Sequence, residues 1–151
     1  MLARTHVAFG LFSAALAHAF IPIAEPLLFY ALVAIGALLP DIDHQGSTIN
    51  RVFPVTKIVG TFFRHRGFFH SVFPIALLLL ITMGTGYARA GYYLGFGYFT
   101  HLLSDSFTRL GVNFLHPFSR LHARGFIDVG TLEETVFFVS VVAGLVLLLL
   151  Y

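Results

Sequence analysis

Five apolar stretches divide the chain, at roughly Thr5 to Ala24, Pro26 to Pro40, Phe68 to Tyr87, Gly91 to Thr108 and Glu133 to Tyr151. A helix needs about 20 predominantly apolar residues to cross the hydrocarbon of a bilayer, and most of these runs approach that length. The second is shorter. Its span of about 15 residues gives about 22 Å at 1.5 Å per residue, so whatever follows Pro40 starts inside the membrane boundary. Very short turns after Ala24 and Tyr87 pair neighbouring runs as antiparallel helices. The expected fold is therefore all-α, a polytopic membrane bundle of about five transmembrane helices, with residues 1–151 forming one domain.

Composition agrees. The hydrophobic share is 58%, and 9 basic and 7 acidic residues are too few to cover the surface of a water-soluble domain. With no cysteine, a disulfide-stapled secreted module is excluded, and the apolar content excludes disorder and a basic nucleic-acid-coating domain. No nucleic-acid partner is expected; the partner is the lipid bilayer. Arg4, the apolar run from Val7 and the small-residue triplet Ala17-His18-Ala19 imitate a secretory signal, which we expect to be retained.

Basic residues set the orientation. With a cytoplasmic N-terminus, Arg4, Arg51, Lys57, Arg64, Arg66, Arg109, Arg120 and Arg124 fall on the cytoplasmic side and Arg89 on the other. That asymmetry is the positive-inside pattern, and it places the chain in the inner (cytoplasmic) membrane as a multi-pass protein. Helix parity then puts the start of the first helix, the end of the second, the start of the third and the end of the fourth on one face.

Those four ends carry His6, then Asp41, Asp43 and His44, then His65, Arg66 and His70, then His101 and Asp105. Ionisable groups near lipid cost about 2.5 to 3.5 kcal/mol each on the insertion scale, so their gathering calls for a function. His101 and Asp105, at i and i+4, project from one helix face and can reach the same ion. Asp41 and Asp43 follow Pro40 and point in different directions, so one serves as a ligand and the other supports a histidine or the loop, with a slight preference for Asp41. His65 and His70 lie about 140° apart on a helix. Either His65 is a loop residue that moves protons or His70 alone is a ligand from the first turn of the third helix. Nitrogen and carboxylate ligands together suit Zn²⁺, with Mn²⁺ or Fe²⁺ as alternatives. His18, His116 and His122 lack ligand spacing and are read as non-ligands. Gly91 and Gly95 form a GxxxG pattern, with Gly97 nearby, that signals tight helix packing.

Thr5-His6-x-x-x-Gly10, Leu39-Pro40-Asp41-x-Asp43-His44, His65-Arg66-Gly67-x-x-His70-Ser71 and His101-x-x-x-Asp105-x-x-Thr108, in this order, resemble the bacterial and archaeal family of membrane-bound metal-dependent hydrolases. That family is also described as LexA-binding, inner-membrane-associated hydrolases. Phe69 departs from the pattern, which commonly has Thr before the His-Ser pair. The ligand order is also similar to that of zinc-dependent phospholipases C and related single-strand nucleases. That similarity implies one ion held by Asp41 (or Asp43), His70, His101 and Asp105, and a second held by His6 with Asp105 bridging. Ligands for a third ion have no counterpart after Asp105, so one or two ions are expected.

The function these features imply is a metal-dependent hydrolase cleaving an ester or phosphoester, lipid-like substrate at the cytoplasmic face. Metal-activated water would be the nucleophile, Asp43 or His65 the proton acceptor, and Arg66 a stabiliser of oxyanion charge. Two other classes compete. An ion or metal transporter would spread polar residues through the membrane depth, and a non-catalytic regulator would hold a structural metal in a closed site.

Overall fold

The computed structural model describes residues 1–43, 67–120 and 122–150, and nothing of the Asp43 side chain. Among the described residues there are five α-helices: α1 (Ala3–Phe20), α2 (Pro26–Gly36), α3 (Phe73–Gly84), α4 (Ala88–Ser106) and α5 (Leu132–Leu150). Two 3-10 turns, Leu39–Asp43 and Phe68–His70, stand between α2 and α3. The all-α expectation holds. By length and composition, α5 is the one helix among the described residues able to cross a membrane. Helices α1 and α4 have the length with a more polar make-up, while α2 and α3 are apolar at 11 and 12 residues.

Helix α4 is the centre of the bundle, packing against α1, α2 and α3, while α5 packs on α1. Its small and polar residues make this sensible. Gly91, Gly95, Gly97, Thr100, His101, Ser104 and Asp105 are all buried, whereas α3 buries no residue fully. The apolar side chains of α3 and α5 instead face outward, among them Leu80, Ile81, Val139 and Leu149. Such an arrangement inverts the pattern of a soluble bundle.

The α2–α4 crossing depends on two glycines. A Cβ on Gly97 would lie 2.1 Å from the Val33 carbonyl oxygen, and one on Gly36 would lie 2.2 Å from that of Leu94. Only hydrogen at these positions lets the two backbones touch. One turn past Gly97, that contact delivers His101 to the end of α2.

Two breaks differ from the sequence reading. Helix α2 ends at Gly36, and Pro40 lies in the first 3-10 turn rather than closing the helix. The third apolar run does not begin as one helix at Phe68. Ser71 is extended and its hydroxyl donates to Phe68 O at 2.6 Å, closing the second 3-10 turn. Pro74, in the first turn of α3 where no amide hydrogen is needed, restarts the helix at Phe73. His70 therefore stands on a turn before α3.

Residues between α4 and α5 fold back on themselves. Val112 and Ala123 exchange two backbone hydrogen bonds of 2.9 Å, and Arg109 N donates to Ile127 O at 3.0 Å. Val112 is buried with Tyr98 and Leu102, beneath Leu39 and Val72. A second apolar cluster, Ala14, Phe29 and Val33, fills the other half of the bundle. At that far end Arg89 pairs with Glu25 at 2.5 Å, and His18 shares a hydrogen bond of 3.2 Å with Tyr30.

Candidate metal centre

Four separate elements bring their polar residues to one end of the bundle, as helix parity requires. His6 comes from the first turn of α1, Asp41 from the first 3-10 turn, His70 from the second, and His101 with Asp105 from the last turns of α4. His6, His70 and His101 are fully buried, Asp105 is 1% exposed and Asp41 16%.

The orientation of two imidazoles follows from their hydrogen bonds. His101 Nδ1 lies 2.7 Å from Ala37 O, a carbonyl just past the end of α2 that has no continuing helix to serve it. A carbonyl only accepts, so His101 carries its proton on Nδ1 and presents a lone pair at Nε2. Ser104 Oγ donates to His101 O at 2.9 Å and so receives a hydrogen bond from His6 Nδ1 at 2.8 Å. His6 is thereby fixed in the same tautomer. The two rings stack with centroids 3.6 Å apart and planes 11° from parallel.

Their Nε2 atoms face carboxylates. His101 Nε2 is 3.8 Å from Asp41 Oδ1 and 3.9 Å from Asp105 Oδ2, and His70 Nε2 is 3.7 and 3.8 Å from the same two oxygens. His6 Nε2 is 3.5 Å from Asp105 Oδ1, against which the Met1 amino group also lies. His101 Nε2 makes no hydrogen bond among the described residues, and neither does the buried Thr5 Oγ1. A lone pair aimed at the Asp41 and Asp105 carboxylates is repulsive unless a proton or a metal cation lies between them.

The separations fit that role. Bonds of 2.0 to 2.2 Å in a tetrahedron place ligand atoms about 3.3 to 3.6 Å apart, a few tenths of an ångström inside the observed spacings. Two groups, His6 with Asp41 and His101, and His70 with His101 and Asp105, each bring their donor atoms within 4.8 Å of one another. Both can hold a divalent ion. Burial works against ionisation of Asp41, but His70, His101 and the amino terminus outweigh it and hold its carboxyl at about 2, below the ordinary 3.8. Asp41 is thus an anionic donor at neutral pH.

Every ligand expected from the sequence and covered by the structure enters this cluster: His6, Asp41, His70, His101 and Asp105. His44, His65, Arg66 and the Asp43 side chain lie outside the described residues. His122 is exposed with its ring bonded to Arg120 O at 2.9 Å, and neither it nor His116 joins the cluster. The sequence reading missed Ser104, which sets the His6 tautomer, and Glu134. Glu134 is buried at the start of α5, its two oxygens accepting from Leu2 N at 2.6 Å and Gly130 N at 2.7 Å. It ties the start of α1, four residues before His6, to α5. The signal for Ser104 was its place on the His101 face, and for Glu134 an acidic pair opening an apolar helix.

The chain matches the family model described as YdjM inner membrane protein over residues 1–151. The chain belongs to this family. It is 34% identical to the uncharacterized protein YvsG of Bacillus subtilis, across 97% of this chain and 91% of that protein. It is 37% identical to inner membrane protein YdjM of Escherichia coli over 87 residues, 53% of this chain and 44% of that protein. YdjM of Shigella flexneri matches to the same extent. No solved structure matches the chain. Family membership and the apolar α5 agree on association with the membrane.

Proposed function

We propose that this family member is a polytopic, metal-dependent hydrolase that cleaves an ester or phosphoester bond of a lipid-like substrate at headgroup depth. The observation that carries the reading is His101: one ring nitrogen is tied to the Ala37 carbonyl and the other faces Asp41 and Asp105 in a buried site. Asp41, His70, His101 and Asp105 would hold one ion, with His6 and the second oxygen of Asp105 placed for another. The mixed nitrogen and oxygen donors favour Zn²⁺ over hard ions such as Mg²⁺. A bound divalent ion would supply Lewis acidity to the scissile group and acidify water. Ser104 and Ala37 hold two of the imidazoles in the ligating tautomer, and burial excludes competing solvent. Asp43 or His65 would accept the proton and Arg66 would steady oxyanion charge.

The five helices would each cross or enter the bilayer, with the site facing the cytoplasm as the basic residues indicate. A conduit is disfavoured because Phe29, Val33 and Phe96 fill the half of the bundle beyond the site with hydrocarbon. The test is a screen of the purified full chain against phosphodiester, phospholipid and carboxylic ester substrates, beside a His101→Ala, Asp105→Ala double variant. Turnover with bound metal in the parent, and loss of both in the variant, is expected. Intact metal in the variant would sink the assignment, and metal without turnover of any ester would favour a structural ion.

A further inference from the structure

Beside the polar cluster runs an apolar groove of about 430 Å³, lined by residues that include Leu39, Ile42, Phe68, Phe69, Leu78 and Ile81. That volume lies in the range of small-molecule sites. Its placement ties it to the cluster. Leu39 and Ile42 bracket Asp41 on the first 3-10 turn, and Phe68 and Phe69 lead directly into His70 on the second. The two turns pack on each other, and the second packs on α3. Tyr98, also on the groove wall, donates its hydroxyl to Phe69 O at 2.5 Å and so pins that turn to α4, one helical turn before His101. One pair of turns therefore presents His70 and Asp41 to the site and hydrocarbon to the groove.

From the turns the groove follows α3, where Pro74 to Ile81 spans about 10 Å at 1.5 Å per residue. At its far end Ile81 is 55% exposed, on a face of α3 shared with exposed Leu77 and Leu80. In a member of an inner-membrane family, a face so apolar suits contact with lipid tails. We infer that the groove receives one acyl chain of a membrane lipid and so aligns the ester or phosphoester at the chain's head with the His70, Asp41 and Asp105 donors. The inference rests on the hydrolytic reading for the chemistry at the head and names the substrate class for it. Lipid tails are as apolar as the groove wall, so the groove selects position and chain length rather than supplying affinity.

The experiment uses the full chain reconstituted in phosphatidylcholine vesicles containing a phospholipid with a diazirine midway along one acyl chain. Peptides labelled on irradiation are mapped by mass spectrometry, with outward-facing Leu147 on α5 as the reference for bulk lipid. Labelling at Phe69, Leu77 and Ile81 should exceed that at Leu147 and should move along the groove as the diazirine is moved along the chain, because a held chain presents one depth to each wall residue. Leu78→Trp should abolish the excess by filling the groove. Ile81→Trp, at an exposed position, should shorten it, so that the ratio of turnover of a medium-chain nitrophenyl ester to that of the acetate ester falls. Equal labelling of α3 and α5, or labelling at Phe69 and Ile81 that Leu78→Trp leaves unchanged, would overturn the groove even if short esters are cleaved. Groove labelling without turnover of any ester would uphold the groove and overturn the hydrolase.

Discussion

Removing a single hydroxyl tests whether the histidine orientations exist to hold metal. Ser104 Oγ is the acceptor for His6 Nδ1 at 2.8 Å, in a fully buried setting. Ser104→Ala leaves that N–H without its partner, a loss of about 1–3 kcal/mol for a buried donor. With that anchor gone Nε2 is held toward Asp105 less firmly, and loss of such supporting contacts lowers metal affinity about 10- to 100-fold. At about 1.4 kcal/mol per decade the two figures describe the same range. Ser106→Ala is the matched control, because Ser106 makes the same back-bond to its own helix, to Leu103 O at 2.6 Å, and bonds no histidine among the described residues. Metal-stripped protein is titrated with Zn²⁺ against a chromophoric chelator. The reasoning is refuted if Ser104→Ala binds as tightly as the parent, or if Ser106→Ala weakens binding equally. In a His6→Ala background the Ser104→Ala change should have little further effect, since the two act as one unit.

Gly97→Ala would place a methyl 2.1 Å from Val33 O, so α2 must move from α4; thermal unfolding in detergent should show a loss of about 1–3 kcal/mol, with weaker metal binding as Ala37 O withdraws from His101. Glu134→Gln turns one of two backbone acceptors into a donor facing an N–H, and should cost about 1–3 kcal/mol in the same assay. In the metal-free protein the attraction that holds the Asp41 carboxyl at about 2, below 3.8, comes from protonated His70 and His101, so its contribution is present only while those rings are charged and is lost as pH falls from near 4 toward 2. The stability gap between parent and Asp41→Asn should narrow over that window, and a gap constant down to pH 2 would contradict it.

Helix number, and the parity that brings four helix ends together, were legible because apolar runs are averaged over many residues. The clustering residues were legible because ionisable groups are rare in so apolar a chain, so His6, Asp41, His70, His101 and Asp105 stood out against a hydrocarbon background. Local chain breaks were not. Whether Phe68 starts a helix depends on the Ser71 hydroxyl competing for the Phe68 carbonyl and on Pro74 restarting the helix, a balance of a few hydrogen bonds that periodicity does not weigh. Ser104 was hidden because a serine bonded to its own helix reads as ordinary; its second bond, to His6, exists only after α1 docks on α4. Asp41 and Asp43 could not be separated by spacing alone, and it is the 3-10 turn that brings Asp41 Oδ1 to the two imidazoles.

The central claim is that the convergent imidazoles and carboxylates are a metal centre. Elemental analysis of the purified full chain, quantified per polypeptide beside Asp105→Ala, tests it most directly. One or two divalent ions per chain, with zinc predominant, and their loss in Asp105→Ala, is the predicted result. A parent free of divalent metal after purification without chelators and after incubation with Zn²⁺, or a variant that retains the parent's full content, would contradict it.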